Sequence, residues 1–322
     1  MSSDFAPAKI NLTLRIRGRR ADGYHELESL VVFADVGDEL TFTPGNNFGL
    51  SVEGETAAEA GDIDGNLVLK AARALQARHD SLQVGHFHLT KNLPVAAGLG
   101  GGSSDAAAAL RLLAAANDLP ATDASLLASA RATGADVPVC LDPRPRIMRG
   151  IGDLLSDPLT LPQLHGVLVN PRVAVPTARV FAARADDSVM RETPPLDKLE
   201  HDVVRKPLRT FRHHALAQDP ASHLVESTSA PAMDTLIAAV SQSANDLEAP
   251  AIALFPAVGE VLDEIRASDR CLLTRMSGSG GTCFGLFETA AAAKAAADRL
   301  QQARPGWWVR STTLGAAPNA RL

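Results

Sequence analysis

The chain has 322 residues, 46% of them hydrophobic, which suffices for one large or two ordinary cores and excludes a disordered chain. Thirty-one Lys and Arg against 37 Asp and Glu leave a net charge of −6 with no basic block, so a nucleic-acid surface is not expected. No apolar run approaches a membrane span, and Met1-Ser2-Ser3-Asp4 lacks the start of a signal peptide. Cys140, Cys271 and Cys283 are far apart, which suits a reducing, cytoplasmic setting without disulfides or structural zinc.

From Lys9 to Ile16, polar and apolar residues alternate, predicting a half-buried strand with Lys9 and Asn11 on one face. Arg17 to Gly23 reads as a turn and Glu26 to Ala34 as a second strand. Shorter strands are expected at 39–43 and 49–52. Helical spacing marks 66–78, and alternation returns over 84–90. Pro94 to Gly102 breaks all regularity. The Ala- and Leu-rich run 103–116 reads as a helix whose opening Ser103, Ser104 and Asp105 would cap it. A further helix over 122–133 would stop at Gly134. Pro143 and Pro145 suggest a domain boundary, placing one domain at 1–150 and a second at 151–322.

The second half opens with a strand at 166–170. Helices are expected at 208–217, 233–240 and 258–267, with strands at 272–276 and 283–287 around a Gly loop. A helix over 290–303 and a strand over 307–314 finish a β–α–β–β–α–β order, the pattern of a ferredoxin-type layer.

The strongest chemical signal is Pro94-Val95-Ala96-Ala97-Gly98-Leu99-Gly100-Gly101-Gly102-Ser103-Ser104-Asp105, set between a strand and a helix. Its glycines let the backbone approach a ligand, and the helix start offers unpaired N–H groups to phosphate. It is neither the dinucleotide fingerprint, whose third Gly is replaced by Ser103, nor a Walker loop, which needs Gly-Lys-Ser/Thr. Other candidates are weaker alone. Ser277-Gly278-Ser279-Gly280-Gly281 reads as a hairpin turn. A strand lysine such as Lys9 is ordinarily solvated, and Asp136 reads as a turn residue ahead of a short strand. Together, however, they could deprotonate a hydroxyl. His86 and His88 share a strand face without a third metal ligand.

Taken in order, Pro7-Ala8-Lys9-Ile10-Asn11, Asp22-Gly23-Tyr24-His25-Glu26, the loop at 94–105, Gly134-Ala135-Asp136-Val137-Pro138 and Ser277-Gly278-Ser279-Gly280 resemble the GHMP kinases. Smaller segments agree, among them Asn66-Leu67, Val175-Pro176-Thr177 and Asn245-Asp246-Leu247-Glu248. Gly281 departs from the more usual Ala, and 184–243 is longer than the pattern. The resemblance implies an α+β fold of two domains, ribosomal S5 domain 2-like at the N-terminus and ferredoxin-like at the C-terminus. It implies ATP as donor, with Mg²⁺ held mainly by the phosphates, and a small-molecule acceptor. The Tyr24-His25 motif narrows this to the branch that phosphorylates the C2 hydroxyl of 4-diphosphocytidyl-2-C-methyl-D-erythritol, on the methylerythritol phosphate route to isoprenoids.

By the same resemblance, Asp136 accepts the hydroxyl proton and Lys9 orients that hydroxyl. Residues Pro94 to Ser104 hold ATP. Tyr24 and Phe181 sandwich cytosine, His25 reads its edge, and Asn11 and Thr177 touch the substrate. Asn66 and Lys91 fall on the adenine side. The alternatives are a mevalonate- or homoserine-type kinase, which would not need Tyr24 and His25, and a non-catalytic nucleotide-binding module, which would not need Lys9 and Asp136.

Overall fold

A computed structural model describes residues 1–21, 23–184 and 233–315. Asp22 and the helix expected at 208–217 lie outside the described residues.

The N-terminal half is built on one long strand. Strand β3 (His25–Pro44) is paired with β1 (Ser2–Asn11), β2 (Arg15–Arg19), β5 (Gly85–Thr90) and β6 (Arg146–Gly150), and β4 (Gly49–Glu53) lies parallel beside β5. The strands expected at 26–34 and 39–43 are thus one continuous element. Helices α1 (Leu67–Gln76) and α2 (Gly101–Ala116) pack on one sheet face, and α3 (Ala124–Thr133) packs on both of them. Phe42, Phe87, Leu40 and Leu89 meet Val68, Leu75 and Leu110 there, all fully buried.

The strand expected from Lys9 to Ile16 is interrupted: β1 ends at Asn11 and β2 starts at Arg15. It is not half-buried either. Lys9, Asn11, Thr13 and Arg15 are as buried as the apolar residues between them: Lys9 lies under Gly100 and against Asp136, and Asn11 against Ser277. Ile10, Leu12, Leu30 and Val32 pack into a shared core with Leu168, Phe284, Trp308 and Leu314. This joint fixes the two halves against each other. Past the two prolines, β6 and the short β7 (Leu154–Leu155) still belong to the first sheet.

In the C-terminal half, β8 (Leu164–Asn170), β9 (Cys271–Met276), β10 (Cys283–Phe287) and β11 (Trp308–Leu314) form an antiparallel sheet in the order β11-β8-β10-β9. That is the 4-1-3-2 order of a ferredoxin-like layer. Its connecting helices over Pro256–Arg266 and Ala290–Ala303 pack on it through Val258, Val261, Ile265 and Leu300. Among the described residues, no helix is long and apolar enough to cross a membrane.

Candidate active site

The two halves enclose a cleft of about 460 Å³ lined by Lys9, Asn11, Asn66, Asp136, Thr177 and Phe181 around residues 94–98 and 100–103 of the Gly loop. Two distant segments converge on Lys9. The β1–β3 register shifts between Pro7 and Lys9, and the Lys9 N–H donates instead to the Leu99 carbonyl of the loop at 2.8 Å. Its side chain enters the cleft and donates to Asp136 Oδ2 at 2.8 Å. Lys9 is 95% buried on its side chain, whereas Asp136 keeps 37% exposure and faces solvent in the cleft. Gly134 does end α3, but with extended backbone (φ 180°) rather than a left-handed cap. Asp136 stands at the start of a short helix, Val137–Cys140, not a strand. Cys140 below it is inert: burial pushes its thiol up to about 12, against the pull of Lys9.

The loop enters α2 without the expected side-chain cap. The residue before the helix is Gly100, left-handed at φ 61°, while Asn66 and Asp123 cap α1 and α3 conventionally. Ser104 and Asp105 are turned away into other bonds. The Ser104 hydroxyl donates to the Pro7 carbonyl at 2.8 Å, and its N–H to the Gly100 carbonyl at 2.9 Å. Leu99 is a buried core residue. Neither Ser104 nor Leu99 lines the cleft, whereas Gly100 to Ser103 present the free helix start to it. A Cβ on Gly101 would point toward Lys91 Nζ, beneath the loop, rather than at a ligand.

Lys91 forms the floor. Its ammonium pairs with Asp38 and, at 2.8 Å, with Asp105 Oδ2, all three buried. The Asp38 Oδ1 also accepts from the Asn92 and Leu93 N–H groups at 2.6 and 2.8 Å. Asp105 is pushed up to about 8, by burial first, with Lys91 opposing and Asp38 adding to the rise. Its second oxygen has no hydrogen-bond partner. The folded state therefore binds one proton more than the unfolded chain at neutral pH, and this group erodes stability as pH rises from about 4 toward 8. We expect Asp105→Asn to gain melting temperature relative to wild type between pH 6 and pH 9. Thermal scans across that range check it; a difference that shrinks with pH would contradict it.

The second Gly loop is more than a hairpin. The buried Ser277 hydroxyl accepts from the Asn11 N–H at 3.2 Å and donates to the Gly98 carbonyl at 2.9 Å. The Thr282 N–H holds the Ala97 carbonyl at 3.0 Å. Asn245 donates to the Met276 and Gly278 carbonyls, both at 2.8 Å, and Arg275 donates to the Leu12 and Ser243 carbonyls at 2.6 and 2.7 Å. The braces on Asn11, Leu12, Ala97 and Gly98 were not readable from spacing, since their partners lie between 179 and 266 positions away. Only the Gly-Ser composition hinted at close backbone contact.

At the far end, the Thr177 hydroxyl meets that of Ser279 at 2.7 Å. The rings of His25 and Phe181 pack 4.9 Å apart. Tyr24, 61% exposed, directly precedes His25, and neither is among the residues that line the cleft. Burial, then the charges of Arg19 and Arg184, hold His25 below its ordinary value, so its imidazole is neutral at pH 7. His86 and His88 lie outside the cleft, both bonded to the Ser51 hydroxyl, at 3.0 and 2.9 Å. Among the described residues, no group of three or more His, Cys, Asp or Glu is placed to hold a metal ion.

Residues 66–142 match the GHMP kinases N terminal domain and 224–305 the GHMP kinases C terminal domain. The 4-diphosphocytidyl-2-C-methyl-D-erythritol kinase of Methylobacterium radiotolerans is 51% identical over 97% of this chain and 98% of its own. That of Xanthobacter autotrophicus is 52% identical over 96% and 97%. A crystal structure of 4-(cytidine 5'-diphospho)-2C-methyl-D-erythritol kinase superposes with a TM-score of 0.70 at 33% identity, covering 98% of this chain and all of that one. With half its residues shared over nearly its full length, the chain belongs to the 4-diphosphocytidyl-2-C-methyl-D-erythritol kinases of the GHMP kinase family.

Proposed function

We propose that the protein transfers the γ-phosphoryl group of ATP to the C2 hydroxyl of 4-diphosphocytidyl-2-C-methyl-D-erythritol, in isoprenoid biosynthesis. The observation that carries this reading is the Lys9–Asp136 pair, held at 2.8 Å in a cleft with the open helix start on one side and the His25–Phe181 rings on the other. Residues 1–150 supply the loop and the pair, and Thr177, Phe181, Leu247 and Ser279 of the second half line the cleft as well.

Phosphoryl transfer demands positioning and charge stabilisation more than covalent help. N–H groups at Gly100 to Ser103 hold the phosphates, with Pro94 to Gly98 shaping the wall and Asn66 lining the adenine side. Asp136 accepts the hydroxyl proton as the oxygen attacks. Lys9 orients that hydroxyl and offsets the charge gathering on it. Hard oxygen donors suit Mg²⁺, which would neutralise phosphate charge; it would be held mainly by the phosphates, with Ser103, which lines the cleft, as the candidate protein contact. Asn11 carries a buried Oδ1 without a protein partner, and it and Thr177 meet the substrate. ADP release in the presence of the cytidyl substrate tests the reading; turnover with mevalonate or homoserine instead would replace it.

Tyr24 and Phe181 stack on cytosine while His25 bonds its polar edge. Base–aromatic stacking is worth about 1–3 kcal/mol, so Tyr24→Ala should weaken the cytidyl substrate roughly five- to hundred-and-fifty-fold. Because Tyr24 is exposed, the melting temperature and ATP affinity should hardly move. Parallel losses on both substrates would defeat the cytosine role. His25, neutral at pH 7, becomes a cation below its lowered value and then loses its acceptor nitrogen. The KM for the cytidyl substrate should therefore be flat from pH 8 to pH 6.5, rise in more acid buffer, and lose that rise in His25→Ala.

A further inference from the structure

The lip of the cleft carries a charged network that the chemistry above does not use. Glu59 Oε2 accepts from the Val95 N–H of the Gly loop at 3.3 Å, and its Oε1 accepts from Arg172 Nη1 at 3.0 Å. The other arm of Arg172 donates to Glu55 Oε1 at 2.8 Å, and Arg310 pairs with the second Glu55 oxygen. Two carboxylates of the N-terminal half thus meet two guanidiniums of the C-terminal half, and their charges cancel.

Isolated surface pairs contribute little, but this one is anchored at both ends. Arg172 follows β8 in a left-handed conformation (φ 57°) that costs a non-glycine residue energy, and its N–H is tied to Asn170 Oδ1 at 2.7 Å. Asn170 donates in turn to the Thr282 hydroxyl at 3.0 Å, and the N–H of the same threonine holds Ala97. Arg310 lies 5.1 Å over Trp308, whose indole N–H donates to the Asn92 carbonyl at 3.1 Å. Val95 and Ala60, the neighbour of Glu59, both line the cleft.

We propose that Arg172 is a positioning residue for the nucleotide, holding Glu59 on the Val95 N–H and cancelling a carboxylate charge that would otherwise stand at the lip of the nucleotide cleft. The proposal rests on the reading of the Gly loop as the triphosphate site. Affinity of the wild type for a non-hydrolysable ATP analogue, measured by calorimetry, checks that reading alone; no binding there would overturn both.

Arg172→Ala should weaken the analogue about five- to twentyfold, the scale of losing a forked charge contact near a polyanion. Affinity for the cytidyl substrate should stay within about twofold, since Thr177 and Phe181 keep their own contacts. Arg172→Lys should recover part of the loss, because a single ammonium lacks the fork that spans Glu55 and Glu59. Adding Glu59→Gln to Arg172→Ala should also restore affinity, by removing the uncancelled charge. An unchanged analogue affinity in Arg172→Ala would overturn the proposal. So would equal losses for both ligands accompanied by a lower melting temperature, or a double variant no better than Arg172→Ala.

Discussion

Asp136→Asn should keep the fold and bind ATP within a few-fold of wild type, yet lose turnover by about a hundred- to ten-thousand-fold, or roughly 2.7–5.5 kcal/mol in the barrier. An amide is nearly the same size and still offers Lys9 an oxygen at the position now 2.8 Å away. What it lacks is a lone pair basic enough to take the hydroxyl proton. Lys9 is almost wholly buried, so the variant also leaves a cation without its counter-charge, which costs some stability. Thermal scans separate that cost from the chemistry. Single-turnover rates at saturating ATP and cytidyl substrate make the test, and a rate near wild type would remove Asp136 from its role as base. Lys9→Ala should lose turnover comparably while also weakening the substrate, because the hydroxyl is then misplaced.

Gly98→Ala should lose both stability and ATP affinity. Gly98 sits at φ 75°, and a Cβ there would overlap the Ser277 and Gly280 carbonyl oxygens, which are backbone atoms unable to swing aside. Left-handed strain and overpacking together suggest a loss of about 2–4 kcal/mol. The loop must shift to relieve the clash, and shifting it breaks the Ser277-to-Gly98 hydrogen bond that sets the loop against Asn11. The KM for ATP should rise at least about tenfold, since misplacing a positioning element by an ångström is costly. Gly18→Ala is the control, because a Cβ at Gly18 meets nothing within 4 Å. Wild-type melting and KM in Gly98→Ala would mean that the second Gly loop does not hold the first.

Local signals carried much of the fold. Periodicity placed the strands at 85–90, 164–170 and 283–287 and the helices at 67–76 and 290–303 to within a few residues. The 4-1-3-2 sheet followed from the order of elements, since few topologies suit β–α–β–β–α–β. The Gly loop was legible because its chemistry is local: glycines, a helix start and a preceding strand adjoin one another in sequence.

Where local rules misled, a long-range contact had overruled them. Alternation at Lys9 to Ile16 predicted a solvated face, but the Gly loop and Asp136 close over Lys9 while the C-terminal half covers Ile10 and Leu12. Ser103, Ser104 and Asp105 looked like caps, yet the Pro7 carbonyl and Lys91 claimed Ser104 and Asp105 and left the helix start open. Composition and periodicity therefore determined most elements and the Gly loop, while the two-domain fold class and the choice of Lys9 and Asp136 came from the resemblance to the GHMP kinases. Only the tertiary structure decided that Lys9 and Asp136, 127 positions apart, stand at bonding distance. It likewise decided that Ser277 joins the loop to β1, and that Arg172 reaches Glu59. Such pairings depend on how two cores seat against each other, which no stretch of neighbouring residues encodes.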